Sequence, residues 1–139
     1  MRNYLAFCAA LLLFGCDSSS PLTCYPISGT VMRDGKPVVE AIVVLHPTAE
    51  IEAIRQKPMA FTDKSGQFVV TTFERGDGAP AGDYQVTVVQ RAPKLVGEEM
   101  VREGSNLLPA RLNDPSASGI SVSVVAGENS PLAIEVPKK

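Results

Sequence analysis

The chain is 139 residues long, 45% hydrophobic and 20% charged, enough for one globular domain and too short for two. Its 13 Lys and Arg and 15 Asp and Glu are scattered, for a formal net charge of -2, so there is no basic stripe for nucleic acid and no polybasic patch for anionic lipid. A single His argues against a multi-histidine metal centre.

In chain order the first feature reads as an export signal. Met1-Arg2-Asn3 is a short positive start, and Tyr4 to Phe14 is an apolar run too short to span a bilayer as a mature helix. Leu13-Phe14-Gly15-Cys16 then ends the run with a small residue before a cysteine. These four residues resemble the lipobox of bacterial lipoproteins, although Phe14 stands where a small or β-branched residue is usual. The resemblance implies cleavage before Cys16 and diacylglycerol on its sulfur. Ordinary signal-peptidase cleavage and an uncleaved anchor are the other readings. Each buried methylene of such a lipid contributes roughly 0.8 kcal/mol, so two or three chains suffice for stable anchoring. On this reading residues 1–15 are a signal peptide, residues 16–24 a lipidated N terminus and polar tether, and residues 25–139 the domain. Cys8 leaves with the signal and Cys16 carries lipid, so Cys24 is the one remaining thiol and no internal disulfide can form. Cys24 is expected as a partly covered thiol at the edge of the first strand, with intermolecular pairing or reactivity as the alternatives.

Ile27 to Arg33 is the first strand candidate, with Ile27, Gly29 and Val31 alternating against Ser28, Thr30 and Met32. Asp34-Gly35 is a strong hairpin signal. Ala41 to Leu45 is a continuous apolar run, which suggests a strand covered on both faces. The stretch 48–57 reads as a loop with partial helix. Met59 to Thr62 is a short strand, and Asp63-Lys64-Ser65-Gly66 turns the chain into Gln67 to Thr72, whose Phe68 and Val70 share a face. After a glycine- and proline-rich turn, Asp83 to Gln90 repeats the alternation with Tyr84, Val86 and Val88. From Arg91 to Ser118 prolines and glycines break the pattern. A brief helix over Glu98 to Glu103, a return to the core through Leu107 and Leu108, and mobility are expected there. Ile120 to Val125 and Leu132 to Val136 read as the last strand pair, turned by Ala126-Gly127-Glu128-Asn129. About seven short strands with turns between them and no long helix predict an all-β, antiparallel, transthyretin-like or immunoglobulin-like β-sandwich.

The order SGTVMRDGKPVVEAIVVLHP, then TDKSGQF, then GAPAGDYQVTVV resembles the carboxypeptidase regulatory-like domain, a transthyretin-like sandwich. The tail LLPARLNDPSASGISVSVVAGENSPLAIEV is similar to the end of small planctomycete lipoproteins that carry this domain, with Leu112 where those relatives often have tyrosine. The resemblance runs from about Ile27 to Val136. In metallocarboxypeptidases such a module accompanies a zinc-bearing catalytic domain, whereas His46 is the single histidine of this chain. Transthyretin-like hydroxyisourate hydrolases have several histidines and a tyrosine-rich C-terminal tetrapeptide, where this chain has Val136-Pro137-Lys138-Lys139. That enzyme reading fails.

Other chemistry is weaker than its plain structural explanation. His46 with Cys24 would make a base and a nucleophile, but a histidine at a strand end explains His46 as well. Asp63, Ser65 and Gly66 faintly resemble a calcium loop, yet the glycine falls too early and no glutamate follows at the needed distance. Asp77 and Asp83 flank a loop as an acid pair or as turn formers. An intramolecular amide between Lys36 and Asn129, as in surface-adhesin sandwiches, needs a buried acid that the sequence does not place.

No catalytic residue, metal site or cofactor is therefore expected, and the only modification site is Cys16. The expected function is a non-catalytic, membrane-anchored cell-envelope module for protein interaction or structural spacing. The alternative is a surface module that binds carbohydrate or a small ligand through loops at one end. A chain with no Trp, 3 Tyr and 5 Phe offers few stacking platforms for sugars, which places the alternative second. The 91–118 segment is the first candidate for a contact surface, because long irregular loops on a rigid sandwich often carry recognition.

Overall fold

A computed structural model describes residues 22–49, 54 and 56–138. Cys16 and the rest of the expected signal and tether up to residue 21 lie outside the described residues, as does half of the stretch read as a loop with partial helix.

The described residues form twelve short strands: β1 (Cys24–Tyr25), β2 (Ser28–Arg33), β3 (Lys36–Pro37), β4 (Ile42–Pro47), β5 (Met59–Phe61), β6 (Gln67–Val69), β7 (Ala79–Pro80), β8 (Gly82–Val89), β9 (Lys94–Val96), β10 (Glu99–Val101), β11 (Ser121–Val124) and β12 (Leu132–Glu135). One 3₁₀ turn, Ala110–Asn113, is the only helical element among them. The count exceeds the expected seven through five short strands: β1 and β7, set off from their neighbours beside Pro26 and Pro80, β3 as the return arm of the Asp34-Gly35 turn, and the β9–β10 hairpin.

Two sheets face each other. One runs β11-β8-β4-β5, antiparallel throughout. The other has β2 at its centre, with β12 on one side and β6 and β3 following one another along the other side. The all-β sandwich expected from the sequence is what the chain forms.

The core lies between the sheets and is made by the alternation already visible in the sequence. Val31 of β2, Phe68 of β6, Val43 and Leu45 of β4, and Tyr84, Val86 and Val88 of β8 all point inward and are buried. Burying each such side chain contributes roughly 1.5–3 kcal/mol. Leu108 and Leu112 join this core from the return segment, Leu112 as a fully buried side chain. Tyr84 packs inside and donates from its hydroxyl to the Pro80 carbonyl at 2.8 Å, four residues upstream, the tyrosine-corner arrangement of immunoglobulin-like sandwiches. Burial, with Cys24 nearby as a lesser cause, pushes its pKa up to about 12.

Four sequence expectations are corrected. First, β11 and β12 do not pair with each other: β11 joins β8 and β12 crosses to the other sheet, where it runs parallel to β2. The 125–131 segment is a link between sheets, with Asn129 Oδ1 accepting from the Val125 N–H at 2.9 Å. Second, the Ala41 to Leu45 run is buried on one face only. Ile42 and Val44 lie on the outer face, half-covered by their cross-strand neighbours Phe61, Val89 and Met59 in the same layer. Third, Glu98 to Glu103 is not helical; it lies in the β9–β10 hairpin and the residues after it. Fourth, the 91–118 segment is not irregular throughout: it carries β9, β10 and the 3₁₀ turn, with backbone hydrogen bonds at the base of the hairpin. The Asp34-Gly35 turn is as expected: both residues have positive φ, 50° and 74°, the conformation of a two-residue hairpin turn whose twist suits the flanking strands.

Candidate functional site

The residues weighed for chemistry are not brought together. His46, at the end of β4, accepts at Nδ1 from the Lys57 ammonium at 3.1 Å, which leaves Nε2–H to donate to Thr87 Oγ1 at 2.9 Å. Burial, and secondarily Lys57, lowers its pKa. Both ring nitrogens are therefore occupied and the neutral ring is the stable form. Cys24 instead lies beside the Asp77 carboxylate and the Thr72 hydroxyl, and burial followed by the Asp77 charge raises the thiol pKa. A protonated thiol next to a carboxylate is a poor nucleophile, and its neighbours share no residue with those of His46.

The aspartates serve the backbone. Asp77 Oδ1 accepts from Thr72 N–H at 2.7 Å, and Oδ2 accepts from Phe73 and Glu74 N–H at 3.0 Å each. Desolvation opposes this carboxylate, but the N–H groups of Glu74, Thr72 and Phe73 and the Cys24 thiol outweigh it and hold its pKa below the ordinary aspartate value. Asp83 accepts from the Ser123 hydroxyl on the neighbouring strand. The pair is thus two separate structural carboxylates. Asp63 Oδ1 accepts from Ser65 and Gln67 N–H at 2.8 and 2.9 Å, a local turn cap in place of a calcium loop. Lys36 pairs with Arg33 at one end of β2, whereas Asn129 donates to the Pro26 carbonyl beyond its other end at 3.4 Å. At about 3.3 Å per residue the length of β2 separates them, and no amide can join them. No group of three or more metal-ligating side chains occurs among the described residues.

What the structure does present is the β9–β10 hairpin. It grows directly from the end of β8 on a hydrogen-bonded stalk: Leu107 N–H to Gln90 O at 2.8 Å, Ala92 N–H to Ser105 O at 2.9 Å and Gly104 N–H to Ala92 O at 2.9 Å. Asn106 Oδ1 accepts from both Gln90 and Leu108 N–H, and Gln90 Nε2 donates to the Val39 carbonyl at 2.9 Å, which ties the stalk to the body. An exposed Arg102–Glu40 ion pair also links the segment just after β10 to the body and adds little energy. Leu95 and Met100 face each other across the two strands. They are 62% and 64% exposed, and Val96 at the tip is 49% exposed. The contact segment read from the sequence therefore contains a shaped apolar surface. The residues that make it, Leu95, Val96 and Met100, were not singled out in the sequence, though Gly97-Glu98 between two short apolar stretches was the available signal.

The N-terminal segment attaches at the opposite end of β8. β1 pairs with β7, immediately before β8 begins, and the hairpin follows where β8 ends. Eight residues of strand at about 3.3 Å per residue separate these ends.

No protein-family model and no curated protein matches the chain. Among solved structures, a DUF3823 family protein from Bacteroides ovatus is similar, with a TM-score of 0.44 and 16% identity over 80% of this chain and 44% of that one. This chain thus spans less than half the length of that structure.

Proposed function

We propose that this protein is a non-catalytic cell-envelope lipoprotein of the carboxypeptidase regulatory-like kind, anchored through lipid on Cys16, whose sandwich presents the β9–β10 hairpin to another envelope protein. The observation that carries the reading is the placement of the two ends: the tether joins at the start of β8 and the exposed apolar hairpin stands at its far end. A bilayer holding Cys16 would lie on the tether side, which directs Leu95 and Met100 away from it. Glu98 and Glu99 at the hairpin tip also disfavour insertion into an anionic membrane surface. A rigid stalk bearing three bare apolar side chains suits a protein contact, where a small buried apolar centre supplies most of the affinity. The side chains of Cys24, His46, Asp77 and Asp83 are committed to structural partners, which supports a binding role over a catalytic one.

The anchor is tested by feeding cells labelled palmitate. The wild-type chain is expected to incorporate label and Cys16→Ser to incorporate none. Label retained in Cys16→Ser, or absent from both, would contradict lipid attachment at Cys16.

A further inference from the structure

The two sheets are joined along one side and open along the other. On the joined side Met59 and Thr71 exchange both backbone bonds, at 3.0 and 2.9 Å, and Asp63 N–H reaches Gln67 O at 2.8 Å, so β5 and β6 close the layer. On the open side β11 ends one sheet and β12 ends the other, with no ladder between them. The register fixes which groups of β11 face outward. Val86 N–H bonds to Ile120 O at 2.8 Å and Thr48 N–H to Asp83 O at 3.0 Å, so Ile120, Val122 and Val124 bond to β8 while Asp83 and Gln85 bond to the β4 side. Ser121 and Ser123, opposite Gln85 and Asp83, therefore turn their N–H and C=O groups away from the sheet. β11 is the last strand of its sheet, and no hydrogen bond reaches these groups from elsewhere among the described residues. The next outward residue, Val125, is closed off: Asn129 accepts from its N–H at 2.9 Å and donates to its C=O at 3.0 Å.

Edge strands are ordinarily blunted by charge, proline or a covering segment. β12 has Pro131 and Pro137 beyond its ends and an exposed Glu135. From Gly119 to Gly127 there is no charged residue and no proline. Ile120 and Val122 at β11 and Leu132 on β12 pack against the core but stay only partly buried. The surroundings are acidic. Residues 112–136 hold Asp114, Glu128 and Glu135 and no Lys or Arg. The exposed Asp83 carboxylate, which accepts from the Ser123 hydroxyl, has no Lys or Arg in ion-pair contact among the described residues.

We infer that β11 accepts an extended, basic segment of another protein as an added antiparallel strand. Backbone bonds to Ser121 and Ser123 hold the segment, as in other strand additions to an open edge. Its apolar side chains cover Ile120 and Val122, and a Lys or Arg on the opposite face of the segment meets Asp83 across Ser123. A second copy of this chain fits poorly. Pairing of two β11 edges about a two-fold axis brings two acidic surfaces together and turns the second β8 end for end. On the anchor reading that sends its tether away from the bilayer, so copies held in one membrane cannot meet this way. The inference goes beyond the contact proposed for the β9–β10 hairpin and uses no residue of it.

The test is fluorescence anisotropy of a labelled peptide of alternating valine and threonine with a lysine at each end, titrated with the full-length protein in non-ionic detergent. Saturable binding is expected. Ser123→Pro removes an outward N–H and takes nothing from the ladder with β8, and should weaken binding about tenfold or more, with a dispersed amide spectrum verifying the fold. A peptide N-methylated at its threonines, which lie on the face of Ser121 and Ser123 and carry the N–H groups that meet them, should lose at least about tenfold without any change to the protein. Glutamate in place of the end lysines should weaken binding about threefold or more. Leu95→Asp/Met100→Asp should bind the peptide as wild type does. Absence of saturable binding, equal binding by Ser123→Pro, by the N-methylated peptide or by the glutamate peptide, or loss of binding in the hairpin variant would each overturn the proposal. So would sedimentation of the protein alone as a dimer that Ser123→Pro dissolves, since the edge would then belong to a second copy.

Discussion

Gly78→Ala is expected to be the most damaging single substitution in the loop that holds β1. A Cβ placed on Gly78 lies 1.8 Å from the Tyr25 carbonyl oxygen and 2.4 Å from the Tyr25 carbonyl carbon, both backbone atoms that cannot swing aside. The residue also has φ of +89°, a conformation side-chain-bearing residues adopt only with strain. Alanine can be accommodated only if β1 lifts from β7. The cost is on the order of 3–5 kcal/mol, from overpacking together with backbone strain. Urea denaturation is the direct measurement. A loss below about 1 kcal/mol would mean that β1 is not packed over Gly78 as described.

Asp77→Ala is expected to destabilise the same loop by roughly 2–3 kcal/mol, since it strips three backbone N–H groups of a charged acceptor at once. Asp77→Asn keeps one carbonyl oxygen and should fall between the two. The pH dependence follows from the lowered pKa of Asp77. A carboxyl group whose folded pKa lies below its unfolded value, about 3.9 for aspartate, contributes stability that is fully present above the unfolded pKa. That contribution is lost as pH falls through the folded pKa. The stability gap between wild type and Asp77→Asn should therefore be constant near neutral pH and shrink on acidification below about 4. A gap that does not shrink, or that widens in acid, would show that the Asp77 charge is not what holds residues 72–74.

Both substitutions act at the junction of tether and sandwich. Gly78 and Asp77 hold the chain against β1, and β1 is the element through which an anchor at Cys16 would be coupled to the domain. Loss of either should leave the β4–β8 ladder intact longer than the β1–β7 pairing.

The parts of the fold that were legible in the sequence are those with one buried face. Phe68 with Val70, and Tyr84 with Val86 and Val88, alternate because each strand meets the core on one side and solvent or a polar neighbour on the other. Asp34-Gly35 was legible because the turn it forms needs positive φ at both residues. Three features were not. Ile42 and Val44 look like core by composition, but their cover comes from side chains in the same outer layer, which no period encodes. β12 pairs parallel to β2 across the sandwich, a long-range choice made by Leu132 and Ile134 packing inward. Residues 94–101 lack alternation because their hairpin buries neither face, so a short apolar stretch beside glutamates looked helical.

At the candidate sites the same contrast holds. Asp77 was visible as a turn former but not as a triple acceptor, because its partners at 72–74 are backbone groups with no side-chain signature.

The central claim is that the hairpin is the contact surface for an envelope protein. Its most direct test is co-sedimentation of residues 17–139 with envelopes stripped of native copies, run with intact and protease-treated envelopes and with Leu95→Asp/Met100→Asp beside wild type. Both substituted side chains are exposed, so the fold is expected to survive. Wild type should sediment with intact envelopes, and sedimentation should be lost both after protease treatment and in the double variant. Wild-type sedimentation that survives protease, or a double variant that sediments as well as wild type, would contradict the account.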